Sequence, residues 1–224
     1  MSTLPTSEDA LESVLRVLEQ SKDTHLSLCH EMVVADSGKI YPIDLVAQAV
    51  IERSLALTRG FCSAIRDDNF LCAAPLIRLQ LDNLLRFYAL WLVPDPHETA
   101  RRMFAGAPLS REVDKDHHKL TDAHLVRRLG ELLPWIPSVY RECCGFVHLS
   151  EKHILSTMSA PDGIDRGFTV QVSGKSSSIG TPYKIDAARA MCEITDQLFH
   201  YIYSWVYTKE LGDRGNSSSS SNSS

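Results

Sequence analysis

The stretch of sequence at about 69–93 is apolar on most sides when it is drawn as an α-helix. Its large apolar side chains spread round the helix instead of following one stripe: Leu76, Leu79, Leu84, Phe87, Leu90 and Trp91. Such a helix has to be covered by neighbours on several sides, because apolar surface left in water is costly. Segments with the three-four apolar spacing of amphipathic helices flank it, at about 42–65 and 182–209. We therefore predict an all-α helical bundle in which the helix at 69–93 is central.

The rest of the pattern predicts about six to seven helices in one domain, residues 1–211. One of these helices has Pro137 in its first turn, a favoured position for proline, and is predicted to continue to about residue 158. A short stretch near 167–173 alternates apolar and polar residues, which predicts a brief β excursion. The last residues, 212–224, are mostly serine, and we predict that this tail is disordered.

The composition is that of an ordinary globular domain, and it excludes several classes of protein. The chain has 224 residues and a formal net charge of −5, so it lacks the overall positive field that draws nucleic acid to a protein. Its longest apolar stretch is interrupted by Arg86 and is too short to cross a bilayer, and its first residues lack a signal-peptide pattern. The six cysteines include no C-x-x-C pair, which is typical of reduced thiols. We predict a cytoplasmic protein without membrane association.

An arginine and a histidine lie seven residues apart in the segment that ends at His148. If the segment is helical, seven steps of about 100° bring Arg141 and His148 to within about 20° of each other, two turns apart. Arginine is a permanent cation whose planar donor fork suits phosphate, and histidine exchanges protons near neutral pH. One helix face that carries both residues suits metal-free phosphodiester chemistry. The same spacing also fits an ordinary polar stripe on an amphipathic helix, and both interpretations stay open.

The layout of the chain resembles the HEPN superfamily of small helical bundles. The hallmark of that superfamily is an arginine and a histidine separated by four to six residues on a late helix, and here the gap is six. The central segment 73–85 is similar to the leucine-rich helix with an R-x-x-x-acid pattern in uncharacterised bacterial relatives. The segment 140–150 resembles, imperfectly, the Y…S…H segment of those proteins. The likeness covers roughly residues 45–208.

The resemblance implies a metal-independent endoribonuclease that needs no cofactor. Many such proteins are toxins or anti-phage defence effectors, and they usually form homodimers in which two Arg–His pairs face one cleft. Carried over, His148 is the general acid or base that helps the ribose 2′-hydroxyl attack its phosphate. Arg141 stabilises the charge that builds up on the phosphoryl group. The expected products carry a 2′,3′-cyclic phosphate and a free 5′-hydroxyl.

One residue departs from the pattern of the active HEPN proteins. Many of them have a polar, often asparagine-like residue after the arginine, whereas this chain has Glu142. A carboxylate that faced the cleft would repel RNA phosphate, although one helical step turns it about 100° away from Arg141. Many superfamily members are inactive, so the alternative function is a catalytically silent helical dimer. Such a dimer binds nucleic acid or a protein partner, for example an antitoxin.

Four further residues are candidates for supporting the pair: Tyr140, Glu151, Arg78 and Arg86. On a continuous helix Glu151 lies one turn from His148, where it would orient the imidazole or form a plain surface pair. Arg78 and Arg86 share a stripe with Asp82, which predicts a charge ladder within the central helix. Such a ladder orients neighbouring helices; in the alternative interpretation, one of these arginines projects into the cleft beside Arg141.

The segment 101–131 is the most basic local surface that the sequence predicts. It contains five acidic residues and seven basic ones. The basic residues are Arg101, Arg102, Arg111, Lys115, Lys119, Arg127 and Arg128. Because an acidic chain must contact RNA through a local patch, this segment is where we predict contact with the RNA backbone. A charged surface that binds no ligand is the competing interpretation.

The same segment contains a group of metal-like residues, that is, residues of the types that ligate metal ions. Oxygen and nitrogen ligands occur close together: Asp114, Asp116, His117, His118, Asp122 and His124. No recognised metal-binding spacing is present, and the neighbouring cations Lys115 and Lys119 oppose a bound ion. We therefore predict a solvated loop and no metal.

Overall fold

A computed structural model describes residues 6–148, 150–156, 158–159, 169–170, 173–176 and 178–219 of the chain. The described residues are almost all helical, which confirms the predicted all-α bundle. The α-helices are, in chain order, α1 (Ser7–Val34), α2 (Pro42–Arg66), α3 (Phe70–Leu92), α4 (Pro96–Phe104), α5 (Asp122–Leu132), α6 (Ile136–Val147), α7 (Glu151–Ser156) and α8 (Thr181–Ser219). Two short 3-10 turns cover Asp36–Gly38 and Leu109–Arg111.

The central position predicted for the helix at 69–93 is confirmed. This helix, α3, packs against α2, α4, α5, α6 and α8. Leu81, Leu84 and Leu85 are fully buried, because neighbouring helices cover α3 on several sides. Leu79 and Trp91 keep part of their side chains in solvent, so the cover is incomplete at two points.

The helix starts follow ordinary capping chemistry. Thr6 and Asp9 form a reciprocal capping box at the start of α1, in which Thr6 N–H donates to Asp9 Oδ2 at 2.9 Å and Asp9 N–H donates to Thr6 Oγ1 at 3.2 Å. Thr121 accepts a hydrogen bond from the N–H of His124 at the start of α5. Pro137 lies in the first turn of α6, where its missing N–H costs nothing.

The helix predicted to extend from Pro137 to about residue 158 is interrupted, so its predicted extent was wrong. α6 ends at Val147, His148 has an extended backbone (φ −105°, ψ 145°), and α7 begins at Glu151. The apolar pattern continues across the break, and for that reason periodicity alone predicts one helix.

Ser150 is the physical reason for the break. Its hydroxyl donates to the carbonyl of Gly145 at 2.6 Å, which satisfies an acceptor at the end of α6. Its own carbonyl accepts the N–H groups of His153 and Ile154 at 3.1 and 3.4 Å, which starts α7. A serine directly before a glutamate is a helix-start signal, and it was readable in the sequence.

The predicted β excursion is present as a minimal antiparallel pair. Strand β1 (Met158–Ser159) pairs with β2 (Thr169–Val170), with Met158 opposite Val170. The other residues of the predicted excursion, 167–168 and 171–172, lie outside the described residues. Helix α8 continues beyond the predicted segment at about 182–209 and ends at Ser219. Residues 220–224 of the serine tail lie outside the described residues.

Lys209 anchors α8 through a buried ion pair that sequence reasoning missed. Lys209 and Asp44 of α2 have fully buried side chains, and Lys209 Nζ lies 2.9 Å from Asp44 Oδ2. The ammonium also donates to the carbonyls of Met32 at 2.6 Å and Lys39 at 3.0 Å. Trp205 Nε1 donates to Asp44 Oδ1 at 2.6 Å. The available signal was a lysine one turn after Trp205 on the apolar face of α8.

A second buried feature is a network of polar side chains that crosses the core from His25 of α1. His25 Nδ1 donates to the Ser21 carbonyl at 2.7 Å, so Nε2 is free to accept from the hydroxyl of Ser54 at 2.8 Å. Gln80 Nε2 of α3 donates to Ser54 at 2.6 Å and to Thr195 of α8 at 2.9 Å. These bonds join four helices and leave no donor unmatched along this path, which is what a buried polar network needs to be stable.

The same network reaches the surface between α2 and α3. Asn83 Nδ2 donates to Gln80 Oε1 at 3.1 Å, and Asn83 Oδ1 accepts from Arg53 at 2.7 Å. Arg53 also pairs with Asp82 at 3.1 Å. The helices are therefore held in register by polar contacts as well as by apolar packing.

Stability should fall in mildly acidic solution because of His25. Burial lowers the pKa of His25, although its hydrogen bond to Ser21 acts in the opposite direction. The unfolded chain then binds this proton at higher pH than the folded chain does. The free energy of unfolding should therefore decrease as the pH falls below about 6.5, by at most about 1.4 kcal/mol per pH unit for this one group.

Urea denaturation of the wild type and of His25→Gln at several pH values measures this effect. We expect His25→Gln to be less stable at neutral pH but to lose part of the slope below about pH 6.5. His30→Gln is the matched control, because His30 is exposed on the same helix. An unchanged slope in His25→Gln would mean that other groups cause the acid sensitivity.

Candidate functional site

Arg141 and His148 lie on the side of α6 that faces away from the bundle. Both are exposed, whereas Cys143 and Phe146 are buried. The ring of Phe146 packs against Phe70 of α3 with a centroid distance of 5.5 Å. Among the described residues, no side chain forms a hydrogen bond or ion pair with the side chain of Arg141 or of His148. Both groups are therefore available to a ligand.

The helical spacing between the two residues persists although α6 ends one residue before the histidine. The N–H of His148 donates to the carbonyl of Cys144 at 3.3 Å, so its amide group still occupies the helical position although its own φ and ψ are extended. A rise of 1.5 Å per residue separates the Cα atoms of Arg141 and His148 by about 10 Å along the axis. Long side chains from these two positions can reach one phosphate group between them.

Glu142, the residue that departs from the HEPN pattern, is engaged on another side of α6. Its carboxylate accepts a hydrogen bond from the hydroxyl of Tyr183 in α8 at 2.5 Å. Both residues line a mainly apolar groove of about 200 Å³ between α3, α6 and α8. Burial and then the bond to Glu142 raise the pKa of Tyr183, so its hydroxyl remains a donor. The carboxylate is thus directed towards α8.

Arg78 connects α3 with α5 and α6 beside the pair. Its guanidinium lies 4.4 Å from the centre of the Tyr140 ring, and its Nη2 donates to Asp122 of α5 at 2.8 Å. Burial acts to lower the pKa of Arg78, but contacts with Cys144, Tyr140 and Asp122 outweigh it and raise the pKa. Tyr140 and Cys144 are neighbours of Arg141 on the helix surface, so Arg78 borders the face that carries the pair.

The charge ladder predicted within α3 is only partly present. Arg86 pairs with Asp82 at 3.0 Å, but Arg78 reaches across to Asp122. Arg86 also donates to Asp122 at 2.5 Å, so one carboxylate of α5 joins two arginines of α3. Both arginines therefore hold α5 against α3 through ion pairs with Asp122. This agrees with the interpretation in which the charged residues of α3 orient neighbouring helices.

Glu151 does not have the predicted relation to His148. It is the first residue of α7, on the far side of the break, so the two residues are not one turn apart on a continuous helix. Its charge instead suits the positive N-terminal end of α7.

The basic segment at 101–131 is largely paired with acidic side chains. Four of its seven cations form ion pairs: Arg101 with Glu98, Arg102 with Glu98 and Glu112, Arg127 with Glu131, and Arg128 with Asp116 and Glu131. In the part of the chain that the structure describes, Arg111, Lys115 and Lys119 have no acidic side-chain partner. An RNA backbone would therefore meet three unpaired cations and would compete for the others.

Three of the metal-like residues converge. Asp114, His118 and His124 place one ligand atom each within 4.8 Å of one another. The carboxylate of Asp114 is buried, and hydrogen bonds from His118 N–H, His124 and Asp116 N–H outweigh its burial and lower its pKa. Asp122 does not belong to this group, because it binds the two arginines of α3.

No disulfide links the described cysteines. Burial raises the pKa of Cys62 to about 12 and that of Cys192 to about 11, so both remain protonated thiols at neutral pH. They pack as small apolar side chains.

Comparisons of the chain with family models, with curated proteins and with solved structures find no match. Among the described residues, none of the helices combines the length and the apolar character that a membrane crossing requires.

Proposed function

We propose that this chain is a metal-independent endoribonuclease of the HEPN type that works as a homodimer in toxin or defence biology. The observation that carries the proposal is the placement of Arg141 and His148. Arg141 is exposed on α6 and His148 is exposed as the residue that caps its end, and among the described residues neither side chain has a partner. A phosphodiester is the substrate class that a free guanidinium beside a free imidazole fits best.

The chemistry needs only these two kinds of side chain. The imidazole of His148 accepts the proton of the ribose 2′-hydroxyl while that oxygen bonds to phosphorus. The bond between phosphorus and the 5′-oxygen breaks, and the departing oxygen takes up a proton. Arg141 donates to the non-bridging oxygens, where negative charge accumulates. In a symmetric dimer two pairs share one cleft, so one imidazole accepts the first proton and the other supplies the second.

Exposed apolar side chains at the two ends of α6 supply surface for self-association. Val147, directly before His148, has 47% of its surface exposed, and Leu132 at the end of α5 has 62% exposed. Such residues lose unfavourable contact with water when a second copy covers them.

The first test is cleavage of single-stranded RNA by the purified chain with EDTA present. We expect shorter fragments that end in 2′,3′-cyclic phosphate, with 5′-hydroxyl ends on the downstream pieces. End labelling with polynucleotide kinase, with and without removal of the cyclic phosphate, distinguishes these ends from those of a metal-dependent nuclease. Absence of cleavage across varied RNAs, or cleavage that EDTA stops, contradicts the proposal.

A catalytically silent helical dimer is the second candidate. The exposed Val147 beside the pair favours it, because an apolar side chain there serves a protein partner, such as an antitoxin, without any chemistry. A chain that dimerises in solution but leaves RNA intact would support this function. Val147→Asp should then disrupt the dimer, because it places a charge on the apolar surface.

A further inference from the structure

The turn before α5 brings one carboxylate and two imidazoles to a single point. Asp114 is 2% exposed, and its Oδ2 lies 2.7 Å from Nε2 of His124. Its Oδ1 lies 3.6 Å from Nδ1 of His118, whose side chain is 60% exposed. One buried oxygen ligand and two nitrogen ligands are a donor set that divalent transition metals prefer.

The spacing of the two imidazoles matches shared coordination. The rings of His118 and His124 are 5.3 Å apart between centroids and nearly parallel, at 20°. Two imidazoles on one tetrahedral Zn²⁺, each with a Zn–N distance of about 2.1 Å, have centroids about 5 Å apart. Small side-chain rotations are therefore enough to bring both nitrogens to one ion.

Backbone hydrogen bonds hold the turn in place without an ion. Asp114 N–H donates to the His118 carbonyl at 2.9 Å, and His118 N–H donates to Asp114 Oδ1 at 2.8 Å. Lys115 N–H donates to the Leu92 carbonyl at 3.0 Å, which ties the turn to the end of α3. Two of the three ligands thus belong to a closed turn, and the third comes from α5, so little ordering is left for binding.

Nearby cations weaken the site without blocking it. Lys115 and Lys119 are exposed, so solvent and salt screen their charges. Arg127 has a more direct effect, since its Nη2 donates to His124 Nδ1 at 3.3 Å. When Nε2 of His124 binds an ion, its proton must move to Nδ1, and the hydrogen bond from Arg127 then has to break.

We infer that Asp114, His118 and His124 form a binding site for one divalent transition-metal ion such as Zn²⁺, with a fourth position open to solvent. The ion joins the turn at 114–118 to α5. This site is independent of the proposed ribonuclease chemistry, which needs no metal.

Isothermal titration of the tag-free, chelator-treated full chain with ZnCl₂ tests the site. We expect one Zn²⁺ per chain for the wild type and no binding of Mg²⁺, which prefers oxygen ligands. His118→Ala removes an exposed ligand without disturbing the core, and it should weaken Zn²⁺ binding by at least about tenfold, since even outer-shell changes cost about that much. With Co²⁺ as the probe, the visible absorption of the bound ion should be lost in this variant.

Two further variants separate this site from adventitious binding. His117→Asn is the matched control, because His117 is exposed in the same turn but lies outside the cluster, and asparagine tolerates its positive φ of 65°; its affinity should stay at the wild-type level. Arg127→Gln should bind Zn²⁺ several-fold more tightly, since the competing donor is gone. The inference is overturned if the wild type binds no Zn²⁺, if His118→Ala binds like the wild type, or if His117→Asn loses affinity equally.

Discussion

Lys209→Met should destabilise the protein by about 3–5 kcal/mol, the range measured when one partner of a buried ion pair is removed. Methionine keeps the apolar stem of the side chain but leaves the Asp44 carboxylate without its counter-ion. The carbonyls of Met32 and Lys39 also lose a donor. Denaturation in urea, followed by circular dichroism, measures the change in the free energy of unfolding.

A surface lysine provides the matched control for this effect. Lys175→Met breaks an ion pair with Asp67 whose side chains are 48% and 71% exposed. We expect it to cost less than about 1 kcal/mol, because exposed pairs are screened by water. The double variant Asp44→Asn, Lys209→Met should be more stable than Lys209→Met alone, since it removes the uncompensated charge. If Lys209→Met lowers the free energy of unfolding by less than about 1 kcal/mol, the buried pair stabilises the fold no more than an exposed pair does.

Substitutions of the pair on α6 should have the largest effect on activity. We expect His148→Ala to reduce the rate of RNA cleavage by about 10²–10⁴-fold, the usual contribution of a general acid or base. Arg141→Ala should reduce it by about 10²–10³-fold, as for the loss of one group that stabilises transition-state charge. Single-turnover cleavage of an end-labelled RNA in EDTA measures both rates.

Stability should change little in these variants, because both side chains are exposed and unpartnered among the described residues. Arg141→Lys should lie between the wild type and Arg141→Ala, since it keeps the charge but loses the planar fork. Exposed residues elsewhere supply the controls His30→Ala and Arg59→Ala, which should cleave at the wild-type rate. If the α6 variants cleave as fast as these controls, the pair is not the catalytic site.

The orientation of Glu142 shows where sequence reasoning reaches its limit. Its angular offset from Arg141 was predictable, because that offset is a property of one helix. Its partner was not, since Tyr183 lies 41 residues further along the chain and reaches Glu142 because α6 and α8 both pack against α3. The same limit applies to Arg78, whose partner Asp122 lies 44 residues away.

The metal-like loop illustrates a different difficulty. The sequence lists six potential ligands between 114 and 124 without saying which of them meet. The closed turn selects Asp114 and His118, and the start of α5 adds His124. Asp122, only two residues earlier, points to α3 instead. Neighbours in sequence were separated because a helix turns each successive side chain by about 100°.

The apolar periodicity of the sequence by itself determined the all-α class, the central place of α3 and the approximate extent of most helices, because helical period and burial are properties of short segments. The seven-residue spacing of Arg141 and His148 was likewise read directly from the sequence. Only the tertiary structure decided the partners of the buried charged and polar groups. Lys209 meets Asp44 across 165 residues, and Gln80 meets Thr195 across 115. Such pairs depend on how helices distant in the chain pack against each other, and no local pattern encodes that arrangement.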